Sequence, residues 1–105
     1  MVAVTILYPN NPGSRFDFEY YLRTHMPMSL ELLGPAIKSV RIERGAEGQE
    51  KGSLPTFVAL CHFVCESREA FETAFWPNAA VLRNDMPRYT DIEPVIQISE
   101  IVLQR

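Results

Sequence analysis

The sequence predicts an α+β domain in which four antiparallel strands form one sheet and two helices cover one of its faces. Three observations carry this. Four runs of strand length alternate with two helix-periodic segments in the order β-α-β-β-α-β, the second and third strands follow one another without a helix between them, and 105 residues suffice for one hydrophobic core but not two. Residues 1–105 are therefore read as a single domain.

Val2 to Tyr8 is an apolar run of strand length, stopped by Pro-Asn-Asn-Pro-Gly at residues 9–13. Ser14 stands where a helix N-cap belongs, with Asp17 three residues on as a capping-box-like partner, and the helix runs into the early thirties. Phe18, Tyr21, Leu22, His25 and Met26 recur at the spacing of an inward face, whereas Glu19 and Arg23 form an i, i+4 pair on the solvated side. Pro27 removes a backbone donor and must kink or interrupt this helix beside His25. Gly34-Pro35 closes it.

Ile37 to Arg44 alternates as a second strand, with Val40 and Ile42 on one face. Residues 45–54 carry three glycines and three charged residues and form a loop. Thr56 to Val64, rich in β-branched and aromatic residues, is the third strand. Ser67 then caps a second helix whose inward face is Phe71, Ala74, Phe75, Asn78 and Leu82, interrupted by Pro77. After the polar, irregular stretch Asn84 to Asp91, Val95 to Leu103 forms the last strand, apolar on both sides. The order is that of the split βαβ, or ferredoxin-like, arrangement. A sheet covered on one side only would leave apolar surface in water, so a homodimer packed sheet against sheet is expected.

Composition narrows the function classes. Ten basic against 13 acidic residues, a formal net charge of −3, leave no electrostatic footprint for nucleic acid. No apolar run approaches the ~20 residues needed to cross a bilayer, and Met-Val-Ala-Val-Thr-Ile-Leu lacks the basic start of a signal peptide, so a cytoplasmic protein is expected. Gly-x-Gly-x-x-Gly, Gly-x-x-x-x-Gly-Lys, His-Glu-x-x-His and a nucleophile elbow are all missing, so no motif calls for a nucleotide, an organic cofactor or a covalent hydrolase mechanism. Cys61-His-Phe-Val-Cys65 suggests zinc at first sight, but residues four apart on a strand are about 13 Å apart, too far for one metal ion or a disulfide. Two buried thiols are expected instead. His62 alternates with Val58, Leu60 and Val64, and either face of the sheet is open to it.

The strongest candidate for chemistry is His25, with Tyr21 one helical turn before it. Both point inward: they are either satisfied core groups or the lining of a pocket. In a pocket, imidazole could accept or return a proton and the phenol could donate to an enolate or carbonyl oxygen. Trp76 and Asn78 offer an aromatic wall and an amide donor for an apolar aromatic ligand, and Tyr89 and Asp85 could close over the site. A haem with His25 as axial ligand is an alternative use of the same space.

Leu7-Tyr-Pro9, Phe18 followed by Tyr21-Leu-Arg-Thr-His25-Met-Pro27, and Asp85-Met-Pro-Arg-Tyr89-Thr90 together resemble the EthD-like branch, named for ether degradation, of the dimeric α/β-barrel proteins. The resemblance spans nearly the whole chain. It implies a homodimer and a small cofactor-free enzyme of the monooxygenase, isomerase, cyclase or decarboxylase kind. The substrate would be a small apolar aromatic or carbonyl compound handled between sheet and helices, with oxidative degradation the branch's own association. His25 and Tyr21 would then be catalytic, and Phe18, Trp76, Asn78 and Tyr89 would bind substrate. A non-catalytic ligand-binding protein of the same fold is the alternative.

Overall fold

A computed structural model describes residues 1–105. Its sheet contains β1 (Val2–Pro9), β2 (Ile37–Arg44), β3 (Phe57–Cys65) and β4 (Val95–Glu100), ordered β2-β3-β1-β4, and every neighbouring pair is antiparallel. This is the ferredoxin-like α+β topology expected. The last strand is shorter than expected. It ends at Glu100, and Val102 and Leu103 stand almost fully in solvent.

Strand alternation sorts the side chains. Val4 and Tyr8 of β1 and Ala59, Cys61, Phe63 and Cys65 of β3 are buried toward the helices, while Val58, Leu60, His62 and Val64 face the other side. His62 is thereby placed on the helix-free face, hydrogen-bonded through Nε2 to Glu43 Oε1 at 3.1 Å. Cys61 and Cys65 are free buried thiols.

The first helical rod is not one continuous α-helix. It consists of α1 (Phe18–Tyr20), a π-helical turn (Tyr21–His25) and α2 (Met26–Leu33), followed by a 3-10 turn at Gly34–Ala36. Its cap is Asp17, not Ser14: the Asp17 carboxylate accepts the Tyr20 N–H at 3.1 Å, while the Ser14 hydroxyl donates to the Asn11 carbonyl and closes the preceding turn. Proline 27 occupies the first turn of α2, where its missing donor costs least. The wider turn ahead of it satisfies the backbone by an i→i+5 bond from Met26 N–H to the Tyr21 carbonyl. Leu22, expected inward, is 47% exposed, because an α-helical period does not hold through a π turn. Gly34 ends the rod with φ of 59°, a conformation in which other residues are strained.

The second rod is α3 (Arg68–Phe75), a 3-10 turn at Trp76–Asn78, α4 (Ala79–Asp85) and a 3-10 turn at Met86–Arg88. Ser67 caps it as expected, accepting the Ala70 N–H at 3.0 Å. The stretch that follows is irregular but not loose. Thr90 Oγ1 donates to the Arg15 carbonyl at 2.7 Å, Asp17 N–H donates to the Tyr89 carbonyl at 2.7 Å, and Phe16 bridges Thr90. Those bonds tie residues 85–92 to the entry of the first rod and bury Tyr89, Thr90 and Ile92. No helix is long and apolar enough to cross a membrane.

Candidate active site

Between the sheet and the two rods lies a cavity of about 430 Å³, with 16 of its 22 lining residues hydrophobic. Its floor is the helix side of β1 and β4, its walls come from both rods, His25, Tyr8, Tyr21 and Tyr89 meet at one end, and Arg68, Glu72 and Arg83 stand toward its mouth. Volume and lining suit a small organic ligand with one polar end.

His25 is held from behind. Its Nδ1 lies 2.9 Å from Asp85 Oδ2, and the other carboxylate oxygen, Oδ1, accepts the Tyr20 hydroxyl at 2.8 Å. Arg88 Nε stands 3.6 Å from the same Oδ1. Because an ionised carboxylate can only accept, Nδ1 carries the proton toward Asp85 and the neutral ring presents Nε2 as an acceptor. Nε2 has no hydrogen-bond partner in the protein, and no buried side-chain polar atom is left unpaired, so this nitrogen opens on the cavity that His25 lines. The ring is fixed on its faces as well: Tyr21 stacks at 5.7 Å with 14° between planes, and Tyr89 packs at 4.6 Å.

Burial lowers the His25 pKa below the ordinary imidazole value, and the opposing hydrogen bond and charge of Asp85 do not overcome it. Burial alone would raise Asp85, but the hydrogen bonds from His25 and Tyr20 together outweigh it and hold the carboxyl below its usual range. At neutral pH the pair is therefore neutral imidazole on carboxylate. Tyr8, Tyr21 and Tyr89 are all pushed well above the usual phenol value, first by burial, and remain protonated donors. The Tyr8 and Tyr89 hydroxyls bond each other at 2.9 Å. Cys61, beneath Tyr21, is pushed up to about 12 by burial and is no thiolate nucleophile.

The structure thus brings His25, Tyr21, Tyr89 and Trp76 to one cavity. Trp76 sits at its mouth, 66% exposed, beside the Arg68–Glu72 pair. Asn78 and Phe18 are not part of the lining, which corrects the expectation for both. The 3-10 turn at Trp76–Asn78, which contains Pro77, shifts the phase of the second rod. There the Asn78 amide donates to the Ala74 carbonyl at 2.8 Å and across to the Leu32 carbonyl at 3.3 Å, linking the rods instead of reaching a ligand. Phe18 packs on Phe16 at 4.6 Å, with the Arg44 guanidinium 4.4 Å above its ring, outside the cavity. Two functional groups escaped the sequence reading. Asp85, expected to close over the site, is the partner of His25 across 60 positions, and Tyr8, expected only as a strand end within the Leu7-Tyr-Pro9 segment, bonds Tyr89. Strand alternation with Val4 would have placed Tyr8 inward; no local signal pairs Asp85 with His25.

The fold has counterparts among solved structures. A solved EthD-like protein from Ralstonia eutropha JMP134 shares 43% identity over 99% of this chain and 94% of its own, with a TM-score of 0.95. The chain belongs to the EthD-like family. At 18% identity an ethyl tert-butyl ether D (EthD) family protein from Bacillus halodurans shares the fold, with a TM-score of 0.69 over 97% of this chain and 99% of its own. A protein from Arabidopsis thaliana does so at 13% identity and a TM-score of 0.66 over 100% and 99%. A scan against protein-family models matches none, and no curated protein matches.

Proposed function

We propose that this EthD-like chain is a small cytoplasmic homodimeric enzyme of catabolic or oxidative metabolism. It uses His25 for acid/base or monooxygenase-type chemistry on a small apolar aromatic or carbonyl compound. The observation that supports this is the unpartnered Nε2 of a neutral histidine, clamped through Nδ1 by an ionised carboxylate and facing an apolar cavity. A satisfied core histidine would have both nitrogens engaged.

In the proposed reaction the ligand enters past Trp76 and lays its apolar body along the sheet side of the cavity, with its carbonyl or phenolic oxygen toward the tyrosines. His25 Nε2 removes an acidic proton from the substrate. The imidazolium that forms is stabilised by Asp85, and the charge left on the substrate oxygen is met by the phenol donors of the Tyr8–Tyr89 pair and Tyr21. In the isomerase version the proton returns to another carbon; in the monooxygenase version the carbanion adds molecular oxygen, the peroxide anion takes the proton back from His25, and loss of water with the second hydrogen of that carbon leaves a carbonyl there.

The second copy would cover the helix-free face, where Leu7, Leu60, Val64 and Val95 supply apolar surface around the His62–Glu43 pair.

The test is a panel of substituted phenols, naphthols and β-dicarbonyl compounds, screened for binding by ligand-observed NMR and for turnover. Turnover of a bound compound that is lost in His25→Ala, with the circular dichroism spectrum preserved, is the expected result. Equal turnover in both proteins sinks the mechanism, and tight binding with no turnover in either makes the chain a ligand carrier.

A further inference from the structure

Tyr20 precedes the π turn and His25 ends it, five residues later, yet both reach the two oxygens of a single carboxylate, Asp85, at 2.8 and 2.9 Å. An α-helix cannot do this. At about 100° per residue, five steps place two side chains about 140° apart around the axis. A turn closed by i→i+5 bonds brings residue i+5 back over residue i instead, and the segment Tyr21–His25 is such a turn. The first rod therefore abandons α-helical winding where the change puts a phenol and an imidazole on the same anion. The rest of the chain supports that placement: the Tyr20 N–H is fixed by the Asp17 cap at 3.1 Å, and Asp85 ends α4, close to the segment that the Arg15 and Thr90 bonds tie to that cap.

From this geometry we infer that Tyr20 is a positioning residue for His25, acting through Asp85, and that the π turn exists to align the two. Tyr20 does not line the cavity. Its hydroxyl occupies Oδ1, so that Oδ2 alone serves Nδ1, and the carboxylate cannot swing away or turn both oxygens to the ring. By donating to the anion it also draws charge away from the His25 bond, which leaves the imidazole less basic than Asp85 alone would make it. The other charged and titratable groups around the ring are Arg88, which shares Asp85 with Tyr20; Tyr21 and Tyr89 on the ring faces; Tyr8 behind Tyr89; and Arg68, Glu72 and Arg83 toward the mouth of the cavity.

The inference rests on His25 being the proton-transfer group, and its test is chosen to fail separately. The His25 imidazole is titrated by NMR in the intact protein, with His62→Gln removing the second histidine signal, in Tyr20→Phe, Asp85→Asn and the double variant. Tyr20→Phe conserves the ring and its packing, so the fold is retained. The expected result is a rise in the His25 pKa of about half a unit in Tyr20→Phe, and no effect of Tyr20→Phe once Asp85 is Asn. An unchanged or lowered pKa in the single variant overturns the inference, as does an effect that persists in the double variant. A shifted titration alongside His25→Ala turnover equal to wild type leaves the positioning role standing and removes only the catalytic reading. Once a substrate is in hand, the acid limb of kcat/KM should move up with the titration in Tyr20→Phe, a displacement that a purely structural tyrosine would not produce.

Discussion

The chain contains two histidines, each hydrogen-bonded to a carboxylate, on opposite faces of one sheet. The cavity-side pair, His25–Asp85, has side chains 9% and 14% exposed, while the outer pair, His62–Glu43, is 26% and 41% exposed. Bond lengths of 2.9 and 3.1 Å barely distinguish them, so the hydrogen bond itself is not what makes one of them a candidate for chemistry. Surroundings make the difference. His25 is wedged between Tyr21 and Tyr89, its carboxylate is held by Tyr20, and its second nitrogen opens on apolar space. His62 has Thr5 and Arg41 as cross-strand neighbours on the helix-free face and lines no part of the cavity.

The largest effect expected from this contrast is kinetic. His25→Ala should lower turnover of a substrate found in the screen by about 10²–10⁴-fold, whereas His62→Ala should change it by less than about twofold; comparable losses would mean that the two faces do not divide the labour. Asp85→Asn should come next, with a loss of roughly 10–10³-fold and an acid limb moved to lower pH, since the carboxylate is what raises His25 against its burial. An acid limb moved to higher pH would show that Asp85 does not raise the pKa of this imidazole.

The outer face makes the opposite prediction. Leu60→Asp, placed beside His62, should convert a dimer to a monomer in analytical ultracentrifugation while leaving the near-ultraviolet spectrum of the buried tyrosines unchanged. A dimer that survives it uses another surface. The smallest effect is on stability. The His25 pKa is lower in the folded state than the ordinary value, so the unfolded chain binds the extra proton first, and stability should fall as pH drops below about 6.5, levelling off below the folded pKa. Asp85, whose folded pKa lies below its usual value, adds its own loss only as pH falls further, through the carboxylate range. Urea midpoints between pH 7 and 5 should therefore decline in wild type and decline less in His25→Gln.

Much of this was legible in the residues. An apolar run, an alternating run and a β-branched, aromatic run gave β1, β2 and β3 within a residue or two of their ends, Ser67 announced its cap, and the inward spacing of Tyr21, His25 and Met26 is what buries them. The same method failed wherever a helix left its ordinary period. Leu22 turns outward at the π turn, and Asn78, half-buried at the 3-10 turn that holds Pro77, faces the Leu32 carbonyl of the first rod and not the cavity. Pro27 and Pro77 marked where the period would break but not the form the break would take. The extension of β4 to Leu103 failed for another reason: branched residues favour strand geometry, yet after Glu100 the pairing with β1 ends in a single bond from the Ile101 N–H to the Met1 carbonyl at 3.2 Å.

By itself, then, the sequence determined the order of elements and the presence of a histidine and a tyrosine on the buried side of the first rod, because these follow from local pattern. Only the tertiary structure decided that Asp85 and Tyr20 meet behind that histidine, that Asn78 joins two rods, and that His62 lies on the far face. Each of those facts joins residues far apart in the chain or depends on a change of helical winding, and neither leaves a mark in the spacing of side chains.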